Sequence, residues 1–211
     1  MYTPAYFEES DPQHLAALMR RYSFATLVTI DDTAPVATHL PMLYHPDAGP
    51  HGTLLTHMAR ANPQWREFVN GRESLVIFHG PHAYISPSWY EATPNVPTWN
   101  YAAVHAYGIP RIVDDAATLR NMLRELVSAY ESHRRDPYGA QLTDAYLDAL
   151  LPGIVGMEIP VTRLEGKFKL SQNRSATDQA AVIAALEDAP QQVEREVAEL
   201  MTARRREACG E

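Results

Sequence analysis

The chain has 211 residues, of which 45% are hydrophobic and 21% are charged, and its formal net charge is −8. This balance is typical of a globular protein with a full hydrophobic core, and the excess of acidic groups argues against a broad nucleic-acid contact surface. Because Cys209 is the only cysteine, an internal disulfide bond is excluded.

Glu8, Glu9 and Asp11 occupy positions where a secretion signal would need basic and then apolar residues. No apolar run approaches the roughly 20 residues of a membrane span. We therefore expect a cytoplasmic protein that does not associate with membranes. The basic cluster Arg204–Arg206 lies in a mixed-charge segment, which is more typical of a solvated helix end than of a DNA contact.

The first predicted elements are a helix and a β-hairpin. The helix begins at Pro12 and carries its apolar residues on one face. Phe24–Ile30 is a predicted strand, and the acidic turn Asp31–Asp32 leads to a second strand, Val36–Tyr44. Pro41 favours an edge or a bulge for this second strand, because proline lacks the N–H that a central strand donates.

The stretch Thr53–Trp65 combines a strand end with the start of a short helix. Asn62 suits the N-cap position, because its side-chain oxygen can accept a hydrogen bond from a free helical N–H. Pro63 suits the first helical position, where no N–H is needed, and Gly71 suits the C-terminal stop.

His57 and Arg60 lie between this strand and the helix N-terminus, and together they predict an anion site. The exposed N–H groups and the helix dipole favour negative charge, and Arg60 can bind a phosphate through two parallel hydrogen bonds. The alternative is an ordinary surface junction with a solvated arginine, since no glycine-rich phosphate loop is present.

The middle of the chain is predicted to be mostly β-structure. Leu75–His79 and His82–Ser86 flank a Gly-Pro pair, which predicts a hairpin or a sharp corner. Pro87–Pro97 contains three prolines and predicts an ordered or lid-like loop. Trp99–Tyr107 alternates strictly, as a strand with two different faces does. The later elements are a strand piece at Pro110–Val113, a helix capped by Asp114 or Asp115, a shorter helix at Thr143–Leu151, a strand at Ile154–Leu164 that Lys167–Ser171 extends, and helices at about 176–186 and 191–206.

This order of elements predicts one domain over residues 1–211. It has six to eight mostly antiparallel strands, a helical insertion at about 115–151 and C-terminal helices at about 176–206. The expected fold is a small β-barrel with helical additions, of the α+β class. A doubly wound α/β fold is not expected, because strands and helices do not alternate.

The residue types argue against several kinds of site. Nine histidines are present, but none lies at a familiar ligand spacing from an acidic or cysteine residue, so no metal site is predicted. No G-x-S-x-G nucleophile motif occurs. The aromatic residues around the proline-rich loop, including Trp89 and Trp99, suit either a hydrophobic cover or a surface that stacks on a planar ring.

Gly166–Arg174 supplies a second polar group. Lys167 and Lys169 share a strand face and can point at one anionic group. Gln172 and Asn173 offer amides suited to the edge of a heterocycle. The alternative is two solvated lysines followed by a helix cap.

Six stretches that span most of the chain carry a family resemblance: FATLVT (24–29), THLPML (38–43), PHGTLLTHMARANPQW (50–65), FHGPHAYISPSWY (78–90), VPTWNYAAVHAYG (96–108) and RLEGKFKLSQNR (163–174). With these stretches, the chain resembles the PaiB family of FMN-binding transcriptional regulators, within the FMN-binding split-barrel superfamily.

The resemblance implies a six-stranded antiparallel split β-barrel and a homodimer with FMN at the subunit interface. The phosphate would lie near His57, Arg60 and Asn62. The remaining FMN contacts that the resemblance implies are the isoalloxazine seat Thr38, His39, Leu40 and Pro41, the C-terminal residues Lys167, Gln172 and Asn173, and the aromatic neighbour Trp99.

The resemblance leaves the activity open between a flavin-dependent oxidoreductase or sensor and a flavin-linked transcriptional regulator. Bound flavin would carry the redox chemistry, and Lys167 would favour its reduced anion. The acidic balance argues against direct DNA contact. The alternative is a haem-binding split barrel, because related barrels handle haem and histidines are abundant.

Overall fold

A computed structural model of the protein describes residues 1–31, 33–91, 94–135 and 138–209. Parts of three sequence predictions lie outside the described residues. They are the turn at Asp32, residues 92–93 of the proline-rich loop, and residues 136–137 of the predicted break between two helices.

The described residues form nine strands, more than the six of the expected barrel, although the class of antiparallel β-structure with helices is confirmed. The additional strands are short pieces. The strands are β1 Glu8–Glu9, β2 Phe24–Ile30, β3 Pro35–Pro41, β4 Leu43–His45, β5 Thr53–Ala59, β6 Ser74–Ile85, β7 Thr98–Gly108, β8 Arg111–Val113 and β9 Ile154–Lys169.

The α-helices are α1 Pro12–Arg21, α2 Ala116–Glu131, α3 Asp144–Leu150, α4 Ala176–Glu187 and α5 Gln192–Cys209. Short 3₁₀ helices lie at Ala5–Phe7, Pro63–Asn70, Pro87–Trp89, Tyr138–Gln141 and Leu151–Gly153. Among the described residues, none of the helices combines the length and the apolar character that crossing a membrane requires.

The strands follow the order β3-β2-β6-β7-β9-β5-β4 in the sheet, and β1 and β8 also pair with β9. The predicted hairpin of β2 and β3 is confirmed, with Thr26 opposite His39. β3 is at one end of this order, as Pro41 predicted. The second predicted strand is interrupted at Met42, which separates β3 from β4.

The predicted corner at Gly80-Pro81 is wrong, because β6 runs through it as one strand of 12 residues. Alternation of buried and exposed residues changes phase here, since Gly80 and Pro81 are both buried. Such a phase change is how a strand absorbs an extra residue, and proline is tolerated at this kind of irregularity. β9 is likewise one continuous strand of 16 residues.

The chain divides into two compact units. The first contains residues 1–15, 79–104 and 165–211, and the second contains residues 16–78 and 105–164.

In the second unit, α2 begins where the acidic cap predicted, with Asp115 accepting a hydrogen bond from Thr118 N at 2.7 Å. The buried face of α2 carries Leu119, Met122 and Leu126. These residues pack against β-strand residues that include Leu55 of β5. The face of β5 that carries Leu55 is therefore covered by α2.

In the first unit, β1 pairs with the end of β9, with Glu8 opposite Lys167. The C-terminal helix α5 carries many charged residues, but its Val197, Ala198 and Met201 are buried. Met201 lies four residues after Val197 and three after Ala198, so it shares one side of the helix with both. α5 therefore contributes to the core of this unit.

Candidate functional site

On the side of β3 that faces away from β2, no strand pairs with it among the described residues. Met42 N donates to Ser23 O at 2.8 Å, and the register places these residues opposite each other. Hydrogen-bonded pairs alternate in an antiparallel ladder, so the N–H and C=O groups of Leu40 also face β2. Those of His39 therefore point away from β2, toward the open edge.

The four predicted ring-contact residues of β3 thus differ in what their backbones can offer. Thr38 and Leu40 direct their peptide groups to β2. Pro41 has no N–H, and its carbonyl oxygen accepts a hydrogen bond from Thr56 Oγ1 at 2.6 Å. Of these four residues, His39 is left as the one that can both donate and accept at the strand edge.

Asn62 caps the helix as predicted, with Oδ1 accepting from Gln64 N at 3.0 Å, and Gly71 ends the helix in the left-handed conformation, with φ of 62°. The helix is 3₁₀ in type and has 8 residues. Asn62 Nδ2 also donates to Thr38 Oγ1 at 2.9 Å. Two predicted FMN contacts are therefore bonded to each other.

Gln64 is the centre of this network, although sequence reasoning did not select it. Its side chain is 2% exposed, and Thr38 Oγ1 donates to its Oε1. Its Nε2 lies 3.1 Å from Thr29 Oγ1, 3.1 Å from Val36 O and 3.3 Å from Leu27 O. Gln64 thus joins the short helix to both strands of the hairpin. A glutamine in the first turn of a short helix gives no indication in the sequence that its side chain is buried.

His57 lies on the face of β5 that α2 covers. It is two residues from Leu55 and opposite Gly156, where an added Cβ would lie 2.3 Å from Leu119 Cδ1. Burial lowers the pKa of His57, and no hydrogen-bond partner of its buried Nδ1 occurs among the described residues. The lower pKa favours the neutral imidazole, which brings no positive charge to an anion.

Arg60 is exposed, but part of its guanidinium is already used. Its Nε donates to Pro152 O at 3.0 Å and its Nη2 to Ile154 O at 2.8 Å. The side chain also lies near the ring of Trp65, at 6.0 Å from the centroid. Nη1 takes part in neither hydrogen bond, so Arg60 retains donors for a phosphate on its exposed side.

In the first unit, Lys167 is a buried cation, with an exposed fraction of 9%. Its Nζ donates to Tyr2 O at 3.0 Å and lies 5.4 Å from the ring centroid of Tyr101. Lys169 Nζ donates to Thr98 Oγ1 at 2.6 Å. Burial lowers the pKa of Lys169, and the positive charges of Lys167 and Arg174 lower it further. These three side chains therefore form a cationic group.

The other predicted contacts in this unit have different environments. Gln172, which follows β9, bonds to the backbone just before it: Leu170 N donates to its Oε1 at 2.7 Å, and its Nε2 donates to Phe168 O. Asn173 is exposed. Trp99 is 53% exposed and lies beside Tyr84 and His82, with ring centroids 6.0 and 6.1 Å away.

Two features of the second unit fit FMN. The pyrimidine edge of an isoalloxazine ring alternates carbonyl oxygens with an N–H, which matches the donor and acceptor that His39 presents at the edge of β3. Arg60 retains donors beside a helix N-terminus, where an anion is favoured. Among the described residues, no group of three or more His, Cys, Asp or Glu side chains is placed to hold a metal ion.

Comparison with known proteins agrees with the predicted family. Residues 1–163 match the family described as "Putative FMN-binding domain". The protease synthase and sporulation protein PAI 2 of Bacillus subtilis (strain 168) is 40% identical over 202 residues, which cover 95% of this chain and 96% of that protein.

Two solved structures share the fold. The FAD and haem binding protein from Mycobacterium smegmatis has a TM-score of 0.60 at 15% identity, covering 82% of this chain and 78% of that chain. The flavocytochrome Anf3 from Azotobacter vinelandii has a TM-score of 0.56 at 12% identity, covering 85% and 78%. The predicted fold is therefore confirmed, and the chain belongs to the PaiB-type family of FMN-binding split-barrel proteins.

Proposed function

We propose that this chain binds FMN along the open edge of β3 and acts as a flavin-dependent redox protein in a homodimer. The observation that carries the proposal is the outward N–H and C=O pair of His39, which suits the pyrimidine edge of the ring. Family membership supports the identity of the cofactor. When bound, FMN would supply the electron-accepting chemistry, and the protein would supply position and charge.

Arg60 is the proposed phosphate ligand. It is exposed, and the remaining donors of its guanidinium lie beside the N-terminus of the helix Pro63–Asn70. Its bonds to Pro152 O and Ile154 O restrict the side chain, so less entropy is lost when a phosphate binds. His57 is proposed to act through the packing of this segment, because its ring lies under α2.

The lysines of the first unit are proposed to act electrostatically. Positive charge close to a flavin stabilises its reduced anion. Lys167 is buried and Lys169 is partly desolvated, so their charges are less screened by water. Trp99 and Asn173 are proposed as further FMN contacts because both are exposed. Gln172 is proposed to shape the turn that carries Asn173.

The homodimer is supported by an apolar sheet face on β2 and β3. Phe24 is 71% exposed and Ile30 is 57% exposed, and both point to the same side of β2 as Val28. Their partners on β3 are Pro41 and Pro35, and the polar pair Thr26 and His39 lies between these apolar pairs on the same face. Exposed apolar residues grouped on one face, with polar residues among them, are typical of a protein–protein interface.

The cofactor proposal is tested by purifying the protein and identifying what heat denaturation releases. We expect a yellow protein that yields about one FMN per chain. A sharp haem absorption band, or a colourless protein that does not bind added FMN, would contradict the proposal.

Arg60→Ala tests the phosphate contact. We expect the Kd for FMN to rise about 10-fold, because one charge-assisted hydrogen bond is lost. Arg66→Ala is the matched control: Arg66 also lies against Trp65, at 5.6 Å from the ring centroid, but has no assigned role in the site. Equal FMN affinities in Arg60→Ala and the unmodified protein, by fluorescence titration, would remove Arg60 from the site.

Ile30→Glu tests the dimer surface. We expect it to convert a dimer into a monomer in light-scattering measurements, because it places a charge in the apolar face. Val69→Glu is the control, since Val69 is 75% exposed on the short helix and lies outside this face. A monomeric unmodified protein would overturn the dimer proposal.

A further inference from the structure

The second unit contains a cavity of about 750 Å³ that the flavin proposal does not use. It opens between the end of α1, β4 with its following loop, and α2. The residues predicted to contact FMN do not line it. Its volume lies within the range of about 300–1,000 Å³ that is usual for small-molecule sites.

Side-chain hydrogen bonds join the walls of this cavity. Ser23 Oγ and Tyr130 OH are 2.7 Å apart, which connects the start of β2 to α2. His45 Nε2 and Glu125 Oε1 are 2.6 Å apart, which connects β4 to the same helix. Both pairs belong to residues that line the cavity. The cavity is therefore held in shape without a ligand, which lowers the cost of binding.

Tyr44 forms a fixed aromatic wall. Its hydroxyl donates to His51 O at 3.0 Å, and its ring packs directly over Gly52. A Cβ at Gly52 would lie 2.4 Å from Tyr44 Cε2, and the φ of Gly52 is +77°, so glycine is needed at this position. Tyr130 adds a second aromatic side chain, and Met42, which is 1% exposed, adds apolar surface.

Charges of both signs surround this aromatic wall. Arg20 lies on the α1 side, whereas Asp47 and Glu125 lie on the loop and on α2. Burial raises the pKa of Tyr44, the charge of Arg20 opposes this shift and that of Asp47 reinforces it. Arg20 and Asp47 are thus both close to the Tyr44 ring. A ligand with one cationic and one anionic group would satisfy both signs at once.

We propose that this cavity binds a free α-amino acid with an aromatic or large apolar side chain. Arg20 binds the carboxylate, while Asp47 and Glu125 bind the ammonium group. The ligand side chain packs between Tyr44 and Tyr130. A simple organic anion would have no group to offer Asp47, and a simple amine would have none to offer Arg20. Both are therefore weaker ligands than the zwitterion.

Calorimetric titration of the 211-residue protein with three related probes tests this ligand class. The probes are L-phenylalanine, 3-phenylpropionate, which lacks the ammonium group, and phenethylamine, which lacks the carboxylate. We expect L-phenylalanine to bind with a Kd at or below about 1 mM and each analogue to bind about 10-fold more weakly. Absence of L-phenylalanine binding, or equal binding of either analogue, overturns the proposal.

Substitutions then locate the site. Arg20→Met keeps much of the side-chain stem and removes the charge, and because Arg20 is exposed we expect it to weaken L-phenylalanine binding about 10-fold. Asp47→Asn is expected to weaken it about 2- to 10-fold, because Asp47 is exposed. Arg21→Met is the control, since Arg21 does not line the cavity and lies near Tyr22 instead, at 5.7 Å from the ring centroid.

Flavin binding provides the last comparison. We expect Arg20→Met to leave the Kd for FMN unchanged, and we expect FMN to leave L-phenylalanine bound. Displacement of L-phenylalanine by FMN, or unchanged L-phenylalanine binding in Arg20→Met, would show that the cavity has a different occupant and would overturn the proposal.

Discussion

Segments 57–64 and 167–172 each begin in the last residues of a strand. Both segments carry polar side chains predicted to contact FMN. They differ in the hydrogen bonds that hold these side chains in place. In segment 57–64, Asn62 and Arg60 bond to neighbouring parts of their own unit, namely Thr38 and the carbonyls of Pro152 and Ile154. In segment 167–172, Gln172 bonds to the backbone of Leu170 and Phe168, both of which lie just before it.

A candidate binding residue can therefore stabilise the fold by connecting distant elements or by bonding within its own segment. Segment 57–64 connects elements that are distant in sequence, so changes there should affect stability strongly. In segment 167–172 the Gln172 amide bonds locally, whereas the amines of Lys167 and Lys169 reach Tyr2 and Thr98. Losses of ligand binding in either segment must therefore be measured beside the free energy of unfolding.

Gln64→Leu, in segment 57–64, should have the largest effect on the free energy of unfolding. It leaves the hydroxyls of Thr38 and Thr29 and the carbonyl of Val36 without the buried amide of Gln64, so we expect a loss of about 2–4 kcal/mol in the free energy of unfolding. Urea titration measures it. Gln191→Ala, on an exposed residue, is the control and should change stability by less than about 0.5 kcal/mol. Similar values for both would contradict the role given to Gln64.

Lys167→Met should have an intermediate effect in the second segment. It removes the hydrogen bond to Tyr2 O and the contact with the Tyr101 ring, so we expect a loss of about 1–2 kcal/mol in urea titration. In FMN-loaded protein the reduction potential should become more negative, because a nearby positive charge is lost. Lys167→Arg keeps the positive charge and should have the reduction potential of the unmodified protein. An unchanged reduction potential in both variants would exclude the electrostatic role.

His57→Gln should have the smallest effect, and it is visible as a change in pH dependence. Burial holds the pKa of His57 below its ordinary value of 6.5, so the unfolded chain binds the proton more readily. The free energy of unfolding should therefore fall as the pH drops below about 6.5, by up to about 1.4 kcal/mol per pH unit for one proton.

The substitution should flatten this dependence, as followed by urea titrations between pH 5 and 8. The pKa of His79 is also lowered, by burial and by the neighbouring His82, and it contributes with the same sign. His79→Gln in the same series separates the two. An unchanged slope in His57→Gln would mean that His57 is protonated equally in the folded and unfolded chains.

Local signals predicted the elements whose ends depend on nearby residues. The Asn62-Pro63 start and the Gly71 stop of the short helix are both observed, because caps act within one turn. β2 occupies Phe24–Ile30 as predicted from its β-branched residues. The continuous course of β6 through Gly80-Pro81 was missed, because a proline in a strand can be judged only from the neighbours that pair with it.

For the candidate site, residue types and family resemblance selected side chains that could contact FMN, but not what those side chains already bind. Sequence reasoning placed His57 beside a phosphate, whereas α2, more than fifty residues later in the chain, covers its face of β5. It also passed over Gln64, whose partners Leu27, Thr29 and Val36 lie 37, 35 and 28 residues earlier in the chain.

The amino-acid sequence by itself determined the family, the class of fold and most helix and strand boundaries, since these follow from periodicity, caps and motifs within short stretches. Only the tertiary structure decided that His39 presents its peptide group at an open edge, that Gln64 is a buried connector, and that a charged aromatic cavity lies beneath α2. Each depends on strand register or on packing between distant segments, and chain-local preferences carry no information about either.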